Sequence, residues 1–595
     1  MNFAQRTHTA GSLRASDIGQ SVVVNGWVAT SRDLGGVLFF DVRDRFGKVQ
    51  CVVQPTEETH LLYEEAKKLR AEYVVSVEGT VRRRERENPK MPTGEVEVIV
   101  TSLTILNESE VPPFEIKEEI TANEDLRLKY RYLDLRRSTL QQNLVMRHKI
   151  TQSIRKYFDA RGFIEIETPM LMKATPEGAR DFLVPSRLQR GKFYALPQSP
   201  QIYKQVLMIA GMDKYFQITK CFRDEDLRAD RQPEFTQLDV EMSFPNEEIV
   251  YEVMENCLHQ VWKELGYALR PFKRLTYKEA MEKYGSDKPD LRYGLEITTL
   301  SELLRNRTEF KPFNDALANP RGAIAAVVAS KSAEWSRKQL DTLTDLAKVY
   351  GAGGLIWMKV TKDGVDSSAK KFLSDEVMNT IVNDCNTEIG DLILVVPHSD
   401  AERAYTILGA LRIELAKRLG LLEDKTFEFA PLWVTEMPMF EWNEEEKTFF
   451  SKHHPFTSPE LSSWGMREQN GLDRVNARAY DIVINGYELG SGSIRIHDRK
   501  LQEEVFDMLK LSKEEQQRKF GFFLEAFQYG APPHGGMALG IDRIAMLCCG
   551  TDNIRDVIAF PKTTSMQSLM DDAPSTVDER QLQELHLILE ESATK

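Results

Sequence analysis

Two segments of this chain concentrate side chains able to handle phosphate. Cys221-Phe222-Arg223-Asp224-Glu225-Asp226 is followed by Arg228, Arg231 and the run Gln232-Pro233-Glu234-Phe235-Thr236-Gln237-Leu238-Asp239. Arginine forks beside carboxylates on a strand–loop–strand suit a polyphosphate with its divalent cation, and an aromatic such as Phe235 can cover a base. An exposed, salt-bridged hairpin has the same composition, and charge content alone does not separate the two, because surface ion pairs are energetically modest. The second segment runs from Gly535-Gly536 to Gly540-Ile541-Asp542-Arg543. Its glycines permit close backbone approach, and Arg543 at a helix start would aim a planar fork at phosphate oxygens. Glycines that enter a helix also serve packing alone, so this segment is weak evidence in isolation.

The elements that must position these residues follow from periodicity. Between Ser21 and Asn107, β-rich stretches begin at Val22, Val37, Val49, Val74 and Val96, separated by turn signals such as Gly35-Gly36, Phe46-Gly47 and Thr93-Gly94. Glu57 to Arg70 has helical spacing through Leu61, Leu62, Ala66 and Leu69. Three strands, a helix and two strands predict an OB-fold barrel over residues 1–107. The polar stretch 108–140, with Pro112-Pro113, reads as a linker. Met146, Ile150, Ile154 and Phe158 then predict a helix that stops at Gly162, followed by a strand from Phe163 to Glu167, in the first part of a catalytic domain at 141–300. Residues 301–422 read as an inserted α+β domain with strands from Ala323, Leu355 and Asp391, and it contains none of the chemistry-bearing residues. Strands at Ala479 to Ile484 and Glu488 to Ile496, then a Gly-rich helix entry at Gly535-Gly536 and Gly540, close the catalytic domain at 423–565, before a C-terminal extension at 566–595. The expected class is α+β and multidomain.

At 595 residues the chain is too long for a small disulfide-stapled fold. Its net charge of −13 argues against indiscriminate polyanion binding but leaves room for a local RNA-binding surface. There is no apolar run of signal-peptide or membrane-spanning length, so a cytoplasmic protein without a membrane partner is expected. The six cysteines lack zinc-site spacing and are expected to be reduced.

Taken in order, Gly162 and the strand to Pro169, Phe222-Arg223-Asp224-Glu225, and Gly540 to Arg543 resemble motifs 1, 2 and 3 of the class II aminoacyl-tRNA synthetases. With the barrel ahead of them they resemble subclass IIb, the aspartate, asparagine and lysine group, and the insertion at 301–422 is similar to that of its bacterial aspartate-specific members. The resemblance implies an antiparallel sheet flanked by helices and a homodimer built through motif 1. It implies ATP as a substrate: Arg223 on the α-phosphate, Arg543 on the γ-phosphate, Phe235 under adenine, and Asp224, Glu225, Gln232, Glu488, Gly540, Ile541 and Asp542 around the nucleotide. Asp481 and Glu488 resemble Mg²⁺ ligands, and hard carboxylate oxygens suit that ion. Arg223, Glu488 and Arg543 form the implied catalytic set.

For the amino acid, Gln198 to Lys204 and Gly490 to His497 resemble the pocket for L-aspartate. Lys204 and Arg495 would face the side-chain carboxylate, and two buried cations disfavour the neutral amide of asparagine. Arg223 would also touch the substrate, Glu177, Ser199, Gln201 and Asp239 would receive the ammonium end, and His453 and His454 lie in a segment similar to the family's mobile loop. The expected reaction forms aspartyl-adenylate and transfers the aspartyl group to the 3′ end of tRNA-Asp. A relaxed enzyme that also charges tRNA-Asn is the alternative, although Leu34, where relaxed relatives often carry histidine, favours strict charging. Phe39, Gln50 and Glu97, with Arg32 nearby, match the family's anticodon readers; Phe39 alone reads as a core residue of a β-strand. The run Arg82-Arg83-Arg84-Glu85-Arg86 reads as phosphate-binding charge or as a solvated face. Competing readings are an asparagine or lysine enzyme, which the Lys204 and Arg495 pair opposes, a catalytically dead RNA-binding paralogue, and a tRNA-independent ligase.

Overall fold

Valine at alternate positions builds the barrel of the first unit. Strands β1 (Ser21–Leu34), β2 (Val37–Asp44) and β3 (Gly47–Val53), helix α1 (His60–Ala66), and strands β4 (Val74–Arg83) and β5 (Val96–Asn107) close in the order β1-β2-β3-β5-β4. Val22, Val24, Val28, Phe40, Val42, Val77 and Val98 fill the interior, and Tyr63 and Ala66 of α1 pack on the same core. β3 and β5 pair in parallel and the other neighbours are antiparallel, the connectivity of the OB-fold that the strand spacing predicts. The computed structural model describes residues 3–175, 178–443 and 445–589. The chain divides into two units, Met1–Val145 with Arg555–Thr576 and Met146–Ile554 with Val577–Lys595, so the expected C-terminal extension is shared between them.

The stretch expected to be a polar linker is instead packed within the first unit. Helices Glu124–Lys129 and Arg131–Asp134 form there, and Arg131 donates to the carbonyls of Arg555, Ile558 and Ala559. The fully buried Asp134 carboxylate receives Arg127, Arg131 and Arg137 at 3.1, 2.8 and 3.0 Å. Charged residues tolerate such burial only when every group finds a partner, and here three guanidinium groups share one carboxylate.

The second unit is built on an eight-stranded sheet. Its order is Lys273–Thr276, Pro431–Thr435, Ala479–Ile484, Tyr487–Ile494, His534–Gly540, Glu234–Ser243, Lys214–Phe222 and Ile164–Glu165. The neighbours are antiparallel except at the two outer pairs. Pairing along the edge strand stops at Glu165, short of the expected Glu167, and Pro169 soon after has no N–H to offer a ladder. Gly535 and Gly536, expected at a helix entry, lie inside a strand. A Cβ on Gly536 would stand 2.0 Å from the Val240 carbonyl, so the glycine serves close strand packing, and the helix Ile541–Cys549 begins only after Gly540.

The inserted region has a five-stranded sheet of its own, ordered Thr298–Thr299, Ala323–Ala329, Leu392–His398, Ile356–Thr361 and Gly364–Ser367. It starts slightly upstream of the expected residue 301. Both faces are covered: Ala325, Val327 and Leu394 pack against Leu343 and Leu408, whereas Ile324, Ala326 and Ile393 pack against Phe313 and Ile381. Near-continuous apolar strands follow from that two-sided burial. Among the described residues, no helix is long and apolar enough to cross a membrane.

Replacing Asp134 by alanine strands three arginines around an empty site, two of them buried. The expected cost is about 3–5 kcal/mol, read as a lower urea midpoint for Asp134→Ala than for wild type. An unchanged midpoint would show that the cluster contributes nothing to stability.

Candidate active site

A cavity of 570 Å³ opens on the central strands of the large sheet. At one end lie the two arginine-bearing segments. Arg223 follows the strand Lys214–Phe222, its backbone N–H donates to the Pro233 carbonyl, and its guanidinium carbon sits 5.1 Å from the Phe235 ring centroid. Arg543, in the first turn of its helix, donates to the Glu488 carbonyl at 2.5 Å and to Asp230 at 3.1 Å. Both arginines therefore line the same cavity, Arg223 just after one strand and Arg543 on the helix that follows another, with Glu225, Gln232, Phe235, Glu488 and Gly540 around them.

At the other end is a buried ionic cluster. Asp239 and Glu241, two residues apart on one strand, face the same way. Lys204 Nζ lies 3.0 Å from Asp239 and 3.5 Å from Glu241, and Arg495 holds Glu241 through Nε and Nη2 at 3.0 and 3.1 Å. All four side chains are at most 2 % exposed. Two cations and two carboxylates balance. Burial alone would push the Glu241 carboxyl up, but Arg495 and Lys204 outweigh it and hold it low, whereas at Asp239 burial prevails over Lys204 and the carboxyl is raised. Arg495 Nη1 also donates to His454 Nε2 at 2.7 Å and to Ser493 Oγ at 2.6 Å. Burial and the Arg495 charge hold His454 neutral, well below its ordinary value, and burial with Lys452 and Arg495 lowers His453 to about 4.

Several polar atoms at this cavity have no partner among the described residues: Asp239 Oδ2, Gln201 Nε2, His453 Nε2 and Asp481 Oδ1. Buried polar groups are normally satisfied, so a convergent set of orphans marks a place for polar ligand atoms. Asp481 is the sharpest case. Burial first, and then the neighbouring Glu488, raise its carboxyl well above the usual range. A cation between the two carboxylates would relieve both effects.

Most of the expected site residues meet at this cavity: Ser199, Gln201, Lys204, Arg223, Glu225, Gln232, Phe235, Asp239, His453, His454, Asp481, Glu488, Arg495, Gly540, Asp542 and Arg543 line it. Two do not: Asp224 turns to Arg180 at 3.8 Å, and Ile541 is buried in the core. Glu177 lies outside the described residues. Asp542 lines the cavity, but its carboxylate accepts from the Thr236 backbone N–H at 2.7 Å and pairs with Arg147, so it ties helix to sheet. Sequence reasoning missed Glu241, Asp230, Asp287 and Lys452. For Glu241 the signal was there, since its spacing from Asp239 puts both on one face of a strand.

On the barrel, Phe39 is half-buried beside the fully buried Phe40, so it is not a core ring, and its register partner Arg32 is exposed. Gln50 and Glu97 are opposed across β3 and β5 and joined at 2.7 Å. Arg84 donates to Gln50 at 2.7 Å and Arg82 to Glu97 at 3.0 Å, so two arginines of the basic run orient these groups.

Residues 123–564 match the family of tRNA synthetases class II (D, K and N), and residues 22–106 match the OB-fold nucleic acid binding domain of the anticodon-binding type. The chain is 53% identical over 587 residues, 98% of each chain, to an aspartate–tRNA(Asp/Asn) ligase of Caldanaerobacter subterraneus subsp. tengcongensis. It is 51% identical over 591 residues, again 98% of each, to an aspartate–tRNA ligase of Macrococcus caseolyticus. In fold it is similar to the asparaginyl-tRNA synthetase of Pyrococcus horikoshii solved with asparaginyl-adenylate, with a TM-score of 0.58 and 20% identity over 94% of this chain and 98% of that one. The chain thus belongs to the ATP-using class II tRNA synthetases of the aspartate, lysine and asparagine group and, within it, to the aspartate–tRNA ligases.

Proposed function

We propose that this chain activates L-aspartate with ATP and Mg²⁺ and transfers the aspartyl group to the 3′ end of tRNA-Asp, working as a homodimer. The observation that carries the reading is the buried Lys204–Asp239–Glu241–Arg495 cluster, an amino-acid pocket whose cations are held in place before substrate arrives. Asp239 Oδ2, unpaired among the described residues, accepts the substrate ammonium, with Ser199 and Gln201 beside it. Lys204 and Arg495 face the side-chain carboxylate. Both groups only donate, so a carboxylate accepts from them with both oxygens, whereas the NH₂ of an amide would set donor against donor at a buried site.

At the nucleotide end, Arg223 exchanges its contact with the Phe235 face for the α-phosphate, and adenine takes the ring. Arg543, held by Glu488 and Asp230, meets the γ-phosphate. The substrate α-carboxylate attacks the α-phosphorus in line and pyrophosphate leaves; the terminal ribose hydroxyl of tRNA then displaces AMP from the aspartyl carbonyl. Both steps depend on positioning and charge neutralisation, and no nucleophilic side chain is needed. Asp481 and Glu488 would hold Mg²⁺, whose chemistry is to neutralise charge on the phosphates. Among the described residues no group of three or more acidic, histidine or cysteine side chains could hold a metal, so these two carboxylates would be the side chains that hold it. Ile164 and Leu171, exposed at the sheet edge beside motif 1, support the dimer.

The barrel reads the anticodon by stacking on Phe39 and by edge contacts from Gln50, Glu97 and Arg32. Leu34, 61% exposed at the β1–β2 tip, has no ring nitrogen to offer a base, which supports strict charging of tRNA-Asp. Relatives named for tRNA(Asp/Asn) stand at 53% and 51% identity beside relatives named for aspartate–tRNA ligation at 51%, so a second reading, a relaxed enzyme, has support of the same kind.

Charging separate tRNA-Asp and tRNA-Asn transcripts with labelled aspartate distinguishes the two. Label on tRNA-Asp alone is expected, with Arg543→Ala lowering kcat/KM by about 10²–10³; equal label on both transcripts means the relaxed enzyme, and none on either overturns the function. The histidines give a further expectation. Because both stay neutral in the folded protein, the aspartate KM is expected to be flat over about pH 6 to 8, and a rise as pH falls through the ordinary histidine range would show that one of them takes up a proton. Their contribution to stability has the matching sign. It is present above the unfolded histidine value and is lost as pH falls toward the folded value of about 4 at His453, because the unfolded chain binds the protons first.

A further inference from the structure

The inserted region contributes no lining residue to the cavity, yet one of its carboxylates reaches the cavity rim through a single tyrosine. Glu402, in the first turn of the helix Ala401–Arg418, accepts a hydrogen bond from the Tyr277 hydroxyl at 2.8 Å. Lys452 Nζ donates to the same hydroxyl at 3.0 Å and lies 4.1 Å from the ring centroid. The direction of the chain is fixed, because an ammonium only donates and a carboxylate only accepts. Burial, followed by the Glu402 charge, pushes the phenol up, so it keeps the proton it donates.

The two ends differ in kind. Tyr277 opens a helix, Tyr277–Tyr284, whose start is fixed by reciprocal bonds between Thr276 and Glu279. That helix ends at Gly285, which meets Gly409 of the inserted region's helix so closely that a Cβ on Gly409 would stand 2.3 Å from the Gly285 carbonyl. Arg412, one turn further on and buried, donates to the carbonyls of Asp290, Tyr293 and Gly294. Glu402 and Tyr277 are thus held on packed helices. Lys452 instead sits in the segment after the hairpin strand Thr448–Ser451, immediately before His453 and His454, and Ser451 to His454 all line the cavity.

We propose that Glu402 and Tyr277 are positioning residues, a strut through which the inserted region holds Lys452 and so sets His453 and His454 over the aspartate end of the site. This rests on the aspartate-activating reaction proposed above. The strut touches no substrate atom; it acts by ordering the covering segment before substrate binds, so its loss weakens binding of the amino acid and leaves the nucleotide end alone.

The test is aspartate-dependent ATP–pyrophosphate exchange by the full chain, varying aspartate and ATP separately. Glu402→Ala and Tyr277→Phe are each expected to raise the aspartate KM about three- to tenfold, with kcat and the ATP KM within about twofold of wild type. The double variant is expected to match the worse single, because both break one chain. Glu402→Gln, whose amide oxygen still accepts from the phenol, is expected to behave as wild type. Unchanged aspartate KM in both singles, an equal rise in the ATP KM, or a double variant that multiplies the singles would overturn the strut. Failure of wild type to exchange with aspartate would overturn the underlying reaction instead. If Tyr277→Phe melts at a lower temperature, the exposed Glu402→Ala decides alone.

Discussion

Everything in the catalytic unit is arranged around four charges that cannot reach water. Lys204, Asp239, Glu241 and Arg495 are buried together, and none of them could remain charged there alone, since an isolated ion in a low-dielectric interior costs several kcal/mol or more. The cluster is stable because it is balanced and bonded, with Glu241 held by both nitrogens of one arginine fork. It is also incomplete. One oxygen of Asp239 has no partner among the described residues, and burial raises that carboxyl, so in the proposed reaction it is the acceptor that a substrate ammonium would complete. The pocket is preorganised: its groups are already desolvated and oriented when the substrate arrives.

The sheet exists in the form that this cluster requires. Asp239 and Glu241 share a face because strand side chains alternate, and Lys204 reaches them from the helix Gln201–Ile209. Gly536 lets the neighbouring strand lie against Val240 without a side chain between them, which keeps the strand that carries Asp239 and Glu241 flat against its partner. Asp542 then fixes the helix bearing Arg543 to that strand through the Thr236 N–H. A single strand therefore sets the distance between the buried cluster and Arg543, the spacing on which the proposed in-line attack depends.

Much of this was legible in the residues and some was not. The barrel could be read because alternation and turn residues are local properties, and β1 to β5 fall where the valine runs place them. That Arg223, Arg543, Lys204 and Arg495 meet at one cavity could be read because their motifs lie in order along the chain. Glu241 passed unnoticed although its two-residue spacing from Asp239 carried the signal; a carboxylate within a β-rich run reads as an exposed edge. The stretch from Glu124 to Arg137 reads as a polar linker because its charges are visible in sequence, whereas some of the partners that bury them are distant, Ala559 lying 428 positions from Arg131. Gly535-Gly536 was misplaced for a related reason: glycine signals close approach, and only the partner strand shows what approaches. The contact of Lys452 with Tyr277 joins residues of ordinary type across 175 positions, and no local pattern could announce it.

The central claim is that the balanced cluster recognises the charge of the aspartate side chain and not merely its shape. The most direct measurement is pyrophosphate exchange by the wild-type chain with aspartate and with asparagine, which are nearly isosteric. A kcat/KM ratio of about 10⁴ or more in favour of aspartate is the expected result, the scale at which a buried site built for one polar group rejects its analogue. A ratio of about 200 or less, the range that shape alone supplies, would contradict the account.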